Sequence, residues 1–280
     1  MHSYRNKLII VAGPTAIGKT AYAIQLAKSL DTEIVSCDSR QFYKEMRIGV
    51  ARPSDNELAT VRHHFIACRS VSNQYNIFDF HHDATNVINK LILEHGSAVA
   101  VGGSGLYIQA LTSGVSRMPD PSPELRSTLQ QMPIAEKQAR LRELDPDYYS
   151  YVDINNPLRL QRALEVCITT GSPYSQILAN QRPVPPPFEC EMQVLHAEPS
   201  ELRNRINERV DKMVTDGLVD EVHSLLSLRN LPTLRTVGYT ELFSYFDGAI
   251  TFDDAINQIK LNTWHYARKQ LTWFRKYSNI

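Results

Sequence analysis

Short apolar runs alternate with helical patterns through the first hundred residues of the chain. Lys7–Ala12 and residues 33–37 and 98–101 have the length and composition of buried strands, and residues 64–68 form a weaker run of the same kind. Between these runs, apolar residues recur every three or four positions, as they do on one face of a helix. The alternation predicts an α/β fold in which helices flank a parallel sheet. Ligands of such sheets bind beyond the carboxyl ends of the strands.

The pattern changes at residues 118–123, where three prolines end the preceding helical periodicity. Polar helical segments follow, and a second proline-rich stretch precedes an apolar run at residues 192–195, which we interpret as a strand rejoining the sheet. Helical patterns then cover residues 199–213, 218–228, 239–246 and 252–277. We expect a core of residues 1–117 and 188–280 and an inserted, mostly helical domain at residues 118–187. One continuous domain with long loops is the alternative.

Composition describes an ordinary water-soluble protein. Lysine plus arginine equals aspartate plus glutamate, 30 against 30, so overall charge indicates no nucleic-acid partner. No apolar run reaches the length of a membrane span, and the first residues lack a secretory pattern. The cysteines are scattered without a C-x-x-C pair, which argues against a zinc site. These features favour a cytoplasmic location with reduced thiols at Cys37, Cys68, Cys167 and Cys190.

A complete phosphate-binding pattern, G-x-x-x-x-G-K-[ST], lies between the first predicted strand and the first predicted helix. Glycines let the backbone wrap a polyphosphate, and the amides that begin the helix point at its oxygens. The lysine adds a positive charge, and the hydroxyl of Thr20 is placed to hold Mg²⁺. The pattern therefore predicts binding of a diphosphate or triphosphate by Gly13, Pro14, Thr15, Ala16, Ile17, Gly18, Lys19 and Thr20.

Two further turns are expected at the same edge of the sheet. Asp38 and Ser39 follow the second strand, where a carboxylate can accept a proton or help to position magnesium, although a helix cap would also explain the pair. The strand at residues 98–101 leads into Gly102-Gly103-Ser104-Gly105. A nucleotide hydrolase would place an acidic residue there, so this turn argues against an ATP-driven motor.

Basic residues cluster in three helical segments. Arg159 and Arg162 share one predicted helix face, and Arg203, Arg205 and Arg209 are expected to form another, although either face could simply be solvated. Residues 255–280 contain five cations and no acidic residue, interleaved with aromatic side chains. Cations neutralise phosphates and aromatic rings stack on bases, so this segment favours a nucleic-acid partner. We expect about half of these aromatic residues to belong to the core instead.

In combination, these motifs resemble the bacterial tRNA dimethylallyltransferase family, from Leu8 to Arg275. Residues 13–20 are similar to the family's GPTxSGKT loop, residues 38–46 to DSxQxYxxM, and residues 102–107 to GGTGLY. Residues 159–166 are similar to RxxRALEV, residues 237–239 to IGY, and residues 268–275 to KRQxTWFR.

The resemblance implies transfer of a dimethylallyl group from its diphosphate to N6 of the adenine that follows the anticodon. It implies a kinase-like core with an inserted domain that contacts tRNA, Mg²⁺ as cofactor, and a monomer that binds the anticodon stem-loop. Asp38 would be the general base, and Lys19 and Ser104 would be further catalytic residues. The tRNA contacts implied are Asp38, Ser39, Arg40, Gln41, Arg126, Arg159, Arg162, Arg235, Gly238, Tyr239, Arg268, Lys269, Gln270 and Arg275.

Some positions depart from the family pattern. Val50 replaces a threonine, Ala67 replaces a carboxylate, and Trp264 replaces a cation. These changes affect expected substrate contacts rather than the phosphate loop or Asp38. Two alternative functions remain open from the sequence: a nucleotide or small-molecule kinase on the same core, and a tRNA-binding relative with altered or lost activity.

Overall fold

A computed structural model of the chain describes residues 6–73 and 75–277. Within these residues, five parallel strands form one sheet in the order β3-β2-β4-β1-β5. The strands are β1 (Lys7–Ala12), β2 (Ile34–Ser36), β3 (His63–His64), β4 (Ser97–Gly102) and β5 (Glu189–Val194). The predicted α/β fold with a parallel sheet is confirmed.

Strand β1, which lies between the central strand β4 and the edge strand β5, sets the position of the site. It pairs with β4 and β5 along all six residues, so that Ala12 lies opposite Gly102 on one side and Val194 on the other. Its four residues Leu8 to Val11 are fully buried, because helices cover both faces of the sheet. The carboxyl ends of β1, β2 and β4 therefore meet at one edge, where the chain turns into the predicted site.

The helices agree broadly with the predicted periodicity. Helix α3 begins after Asn76, whose side chain accepts the N–H groups of Phe78 and Asp79, and it ends at Gly96 with φ of 79°. The helices of the first part of the chain are α1 (Lys19–Ser29), α2 (Asp55–Thr60), α3 (Ile77–His95) and α4 (Gly105–Ser113). Those after β5 are α10 (Pro199–Thr215), α11 (Leu218–Ser224), α12 (Tyr239–Phe246) and α13 (Phe252–Phe274).

The chain divides into two compact units. One comprises residues 1–114 and 185–280 and contains the sheet. The other comprises residues 115–184, and its core includes Leu129, Leu141, Leu160 and Leu164. Its helices are α5 (Pro123–Gln131), α6 (Ile134–Leu144), α7 (Pro146–Tyr151), α8 (Pro157–Thr170) and α9 (Tyr174–Asn180).

Several predicted element boundaries are wrong. The third strand was expected at residues 64–68, but β3 stops at His64 because Phe65 and Ala67 have φ of 64° and 48°, which no strand accommodates. Helix α2 was not predicted at all. Helix α11 ends at Ser224 rather than 228 and continues as a short 3₁₀ turn. In the described part of the chain, no helix is long and apolar enough to cross a bilayer.

Candidate active site

The phosphate loop joins β1 to α1. Gly13 has φ of 144°, and a Cβ atom at this position would lie 2.9 Å from the carbonyl oxygen of Leu195 after β5. Gly18, at φ of 96°, precedes α1, and no side chain caps the helix. The first amides of α1 are therefore left to a ligand, as anion binding at a helix N-terminus requires.

Lys19 is the partly buried cation of this loop. Its Nζ donates a hydrogen bond of 2.7 Å to the carbonyl oxygen of Pro14. Burial lowers the pKa of Lys19 to about 7; the carboxylate of Asp38 opposes this shift, and the guanidinium of Arg209 adds to it. Within residues 6–73 and 75–277, Lys19 makes no salt bridge, so a bound diphosphate would supply a direct counter-ion for its ammonium group.

The loop opens into a polar cavity of about 420 Å³, hereafter the polar cavity. Loop residues Thr15, Ala16, Gly18, Lys19 and Thr20 line it. Its charged lining comprises four cations and two carboxylates. The excess of positive charge favours binding of an anion. These residues are Lys19, Arg52, Arg205, Arg209, Asp38 and Glu57.

Two arginines of α10 reach the phosphate loop. Arg205 donates to the carbonyl oxygen of Ile17 over 3.4 Å, and Arg209 donates to the hydroxyl of Thr15 over 3.2 Å. They are four residues apart and therefore lie on one face of the helix. Arg203 is exposed and lies on another face, so the predicted common face of all three arginines is wrong. Arg205 and Arg209 belong to the polar cavity.

Asp38 follows β2 and stands where two cavities meet. Its Oδ1 accepts the backbone N–H of Arg40 over 2.9 Å, which fixes the carboxylate in the turn. Asp38 lines both the polar cavity and a second, more apolar one of about 250 Å³, hereafter the apolar chamber. The apolar side chains of this chamber are Val50, Val210, Met213, Leu218, Val237 and Ile259.

Ser104 lies beside this turn without lining either cavity. Its hydroxyl lies 3.3 Å from the backbone N of Ser39 and 3.4 Å from the Ser39 hydroxyl. It also makes a hydrogen bond with Tyr266, a residue of the chamber whose pKa burial raises to about 12. Ser104 therefore connects the Asp38 turn to α13, and its catalytic role stays a prediction.

The wall shared by the two cavities is held by one carboxylate. Glu221 of α11 accepts the backbone N–H groups of Arg47 at 3.0 Å, Ile48 at 2.7 Å and Gly49 at 3.0 Å. It also accepts the hydroxyl of Tyr239 over 2.6 Å. These four bonds fix the loop that carries Val50 and Ala51 into both cavities.

Two residues expected to contact tRNA are buried instead. Tyr239 is fully buried against Gly49, and its hydroxyl is bonded to Glu221. Gln270 accepts the N–H of Thr15 and donates to the carbonyl oxygen of Gly103, both over 2.8 Å. Both side chains thus have partners inside the protein, and their contacts with tRNA stay predictions. We leave both residues out of the proposed tRNA surface.

Others of the expected tRNA residues also make internal contacts. The amide of Gln41 lines the polar cavity and donates to the carbonyl oxygens of Val50 and Ala51, over 3.3 and 3.0 Å. Arg40 donates to the carbonyl oxygen of Thr233 over 2.8 Å. Ser39, Arg40 and Gly238 line the apolar chamber, whereas Arg235 is exposed beyond it.

Three cations at and just after the C-terminal end of α13 face solvent, whereas Lys260 of the same helix pairs with Asp211. Arg268, Lys269 and Arg275 are exposed, and no salt bridge to them occurs within residues 6–73 and 75–277. The aromatic residues do not divide evenly: Phe274 is 1% exposed and belongs to the core, Trp273 and Tyr277 pack against the same core, and Tyr266 lines the chamber.

The basic residues of the second unit are partly neutralised. The buried carboxylate of Glu165 accepts a hydrogen bond of 3.2 Å from Arg162 and lies 4.0 Å from Arg126. One carboxylate shared by two guanidinium groups leaves a single net positive charge. Arg159, in contrast, is exposed. Of the three arginines expected to contact tRNA in this unit, Arg162 and Arg126 share Glu165, whereas Arg159 is not paired with that carboxylate.

The donor set suits a magnesium ion that arrives with a diphosphate. Mg²⁺ in such sites takes most ligands from substrate oxygens and water and only one or two from the protein. Thr20 provides a hydroxyl in the polar cavity. No group of three or more His, Cys, Asp or Glu side chains in the described residues could hold an ion without that help.

Sequence reasoning missed Arg209, Glu57, His63 and Glu221 as residues of this site. Arg209 and Glu221 follow Asp38 by more than 170 residues, so only the fold brings them together. The one available signal was the four-residue spacing of Arg205 and Arg209.

Comparisons with known proteins agree with this architecture. The model of the IPP transferase family matches residues 41–277. A tRNA dimethylallyltransferase from Christiangramia forsetii is 47% identical over 275 residues, which cover 97% of this chain and 91% of the relative. Another from Flavobacterium psychrophilum is 42% identical, covering 98% of this chain and 92% of the relative.

Solved structures are similar over nearly the whole chain. The full-length tRNA isopentenylpyrophosphate transferase of Bacillus halodurans gives a TM-score of 0.69 at 34% identity and covers 97% of this chain and 87% of that one. A eukaryotic dimethylallyltransferase acting on tRNA gives a TM-score of 0.80 at 24% identity, covering 96% of this chain and 70% of that one, which supports the fold alone.

Proposed function

The chain belongs to the tRNA dimethylallyltransferase family, and on that premise we propose how its own residues divide the transfer of a dimethylallyl group to tRNA. The family membership excludes the kinase alternative. The observation that carries the proposal is the position of Asp38, which lines the polar cavity and the apolar chamber at once. A reaction between a diphosphate ester and an adenine needs such a junction.

We place the diphosphate of the donor in the polar cavity. The free amides at the start of α1, Lys19, Arg205 and Arg209 would bind its oxygens, and their positive charge would stabilise the diphosphate as it leaves. Thr20 would hold Mg²⁺, which supplies further charge neutralisation when bound. The five-carbon group would point past Val50 toward the apolar chamber.

The adenine would enter the chamber from the tRNA side, where Tyr266 and Gly238 lie. Its N6 attacks C1 of the dimethylallyl group, the C1–O bond breaks, and the bonding electron pair leaves with the diphosphate. The N6 amine is a weak nucleophile because its lone pair is delocalised into the ring. The Asp38 carboxylate takes the N6 proton as the new bond forms, which restores a neutral amine. The target base must first leave its stack to reach this position.

The tRNA would be bound at its anticodon stem-loop by Arg268 and Lys269 of α13, by Arg275 directly after this helix, and by Arg159. Phosphate contacts of this kind position an RNA without reading its sequence. A tRNA substrate, together with four cysteines that form no disulfide, supports a cytoplasmic location. We also propose that a single chain is the active form.

Asp38→Asn tests the proposal, because the amide keeps the shape of the carboxylate but cannot take a proton at neutral pH. We expect single-turnover transfer at saturating donor and tRNA to slow by roughly 100- to 10,000-fold, as for loss of a positioned general base. Donor and tRNA affinities should change far less. The control is Asp247→Asn, which alters an exposed carboxylate paired with Arg229. If Asp38→Asn stays within a few-fold of the control, the base lies elsewhere.

A further inference from the structure

One histidine of the polar cavity has a ring nitrogen without a partner. His63 lies on the edge strand β3, where it pairs with Ile34 of β2. It lines the polar cavity together with Lys19 and Thr20. Its Nε2 is buried and makes no hydrogen bond to any described residue of the protein. Buried polar atoms are almost always paired, so this nitrogen points to a ligand.

The other ring nitrogen determines which form the imidazole takes. Nδ1 lies 2.8 Å from the carbonyl oxygen of Val61. A carbonyl oxygen can only accept, so Nδ1 carries the proton, and Nε2 of the neutral ring is an acceptor. Burial lowers the pKa of His63, which favours this neutral form in the free protein, although the Val61 carbonyl and Glu57 oppose the shift.

As a neutral hydrogen-bond acceptor, Nε2 of His63 cannot make a hydrogen bond to an oxygen of an anion. The oxygens of an ionised diphosphate are acceptors as well, so His63 can contact them only after Nε2 gains a proton. With Lys19 protonated, the charged side chains around the ring carry a net charge of plus two, which is smaller than the three negative charges of a diphosphate monoester. The charges around the ring therefore favour that change when the diphosphate binds without Mg²⁺. These side chains are Lys19, Asp38, Arg52, Glu57, Arg205 and Arg209, with His64 as the sequence neighbour.

We propose that His63 takes up a proton when a diphosphate enters the polar cavity, and then donates Nε2–H to a diphosphate oxygen. His63 thereby joins Lys19, Arg205 and Arg209 as a side-chain contact to the leaving group. The inference rests on the proposed donor site and adds a residue that the family resemblance did not supply. It also implies that diphosphate is held more tightly at lower pH.

Nuclear magnetic resonance of the full chain with ¹⁵N-labelled histidine tests the proposal directly. We would follow the His63 ring through a pH titration, free and saturated with inorganic pyrophosphate, with and without Mg²⁺. An opposite charge within about 4–6 Å raises a pKa by roughly 1–3 units, so the midpoint should move upward by at least about one unit. An unchanged His63 titration in the saturated complex would overturn the proposal.

A matched pair of variants gives a second readout. His63→Gln keeps a polar side chain that cannot become charged, whereas His64→Gln alters the neighbouring ring, which bonds to Glu33 over 2.6 Å. We expect His63→Gln to weaken pyrophosphate binding about tenfold at pH 6.5 and much less at pH 8, with His64→Gln unchanged. An equal loss at both pH values would contradict the charged contact. Absence of pyrophosphate binding to the unaltered chain would instead refute the donor site itself.

Discussion

At the scale of single residues, the polar cavity makes the charge of Lys19 depend on its ligand. Its pKa of about 7, lowered chiefly by burial, means that the side chain is about half protonated at neutral pH. An entering diphosphate favours the ammonium form and raises this pKa. Donor binding must therefore bring a proton with it at any pH between the two values.

This linkage predicts the direction of the pH dependence. At pH 8 most free Lys19 is neutral and most bound Lys19 is charged, so binding of dimethylallyl diphosphate should take up close to one proton. Its affinity should fall by up to about tenfold per pH unit above 7, because the deprotonated lysine must be recharged. Calorimetry at pH 8 in buffers of different ionisation enthalpy measures the uptake. Lys19→Met is the control and should leave only the smaller uptake that we propose for His63; equal uptake by both proteins would rule out Lys19 as the main group.

The sequence predicted some residues of the site and not others for a physical reason. Lys19, Thr20 and Asp38 belong to short motifs in which neighbours along the chain create the chemistry. His63 and Glu221 acquire their roles from distant partners, such as the Gly49 amide that lies 172 positions from Glu221. Tyr239 and Gln270 occur in recognisable motifs, but burial gives them internal partners that a motif alone does not reveal.

At the scale of elements, the Glu221 contacts join α11 and α12 to the loop between β2 and α2. Each carboxylate oxygen accepts two hydrogen bonds, from Tyr239 and Gly49 at Oε1 and from Arg47 and Ile48 at Oε2. Such a set requires a group with acceptors only, and a carboxylate is the side chain that provides it.

Glu221→Gln should loosen this loop. In either orientation of the glutamine amide, its NH₂ group would face two N–H or O–H donors, and a donor cannot accept their hydrogen bonds. We expect the free energy of unfolding in urea to fall by about 1–3 kcal/mol and the KM for dimethylallyl diphosphate to rise more than kcat falls. Tyr239→Phe is the graded control, since it removes one bond and leaves the three amides held. Equal effects of the two variants would show that the amides do not need the carboxylate.

Element prediction succeeded where apolar runs were long and failed where turns decided the outcome. The apolar run at Lys7–Ala12 predicts β1, and the helical periodicity within Ile77–His95 predicts α3. β3 stops after two residues because of positive φ at Phe65 and Ala67, non-glycine residues that give no sequence signal for that conformation.

At the scale of the whole molecule, cations with different internal partners should contribute differently to tRNA binding. Lys269 and Arg275 are exposed without a salt bridge in the described chain, whereas Arg162 shares Glu165. Neutralising Lys269 or Arg275 to Gln should weaken tRNA binding and reduce the slope of log affinity against log salt by roughly 0.7–0.9 per lost phosphate contact.

Arg162→Gln should reduce this slope less than Lys269→Gln or Arg275→Gln does. Lys90→Gln on α3, which removes an exposed cation paired with Glu94, serves as the control. Fluorescence anisotropy with labelled tRNA over a range of salt concentrations measures all four. An unchanged slope after neutralisation of Lys269 and Arg275 together would assign these residues to an ordinary solvated face.

The way the phosphate loop is held has a consequence for the newly synthesised chain. On the ribosome, the loop emerges long before the groups that fix its shape. The carbonyl of Leu195 packs against Gly13, and the amide of Gln270 joins Thr15 to Gly103. A translation product that stops before Gln270 therefore carries the complete nucleotide-type motif without the support that shapes it, and should neither hold the prenyl donor nor compete for it with finished copies.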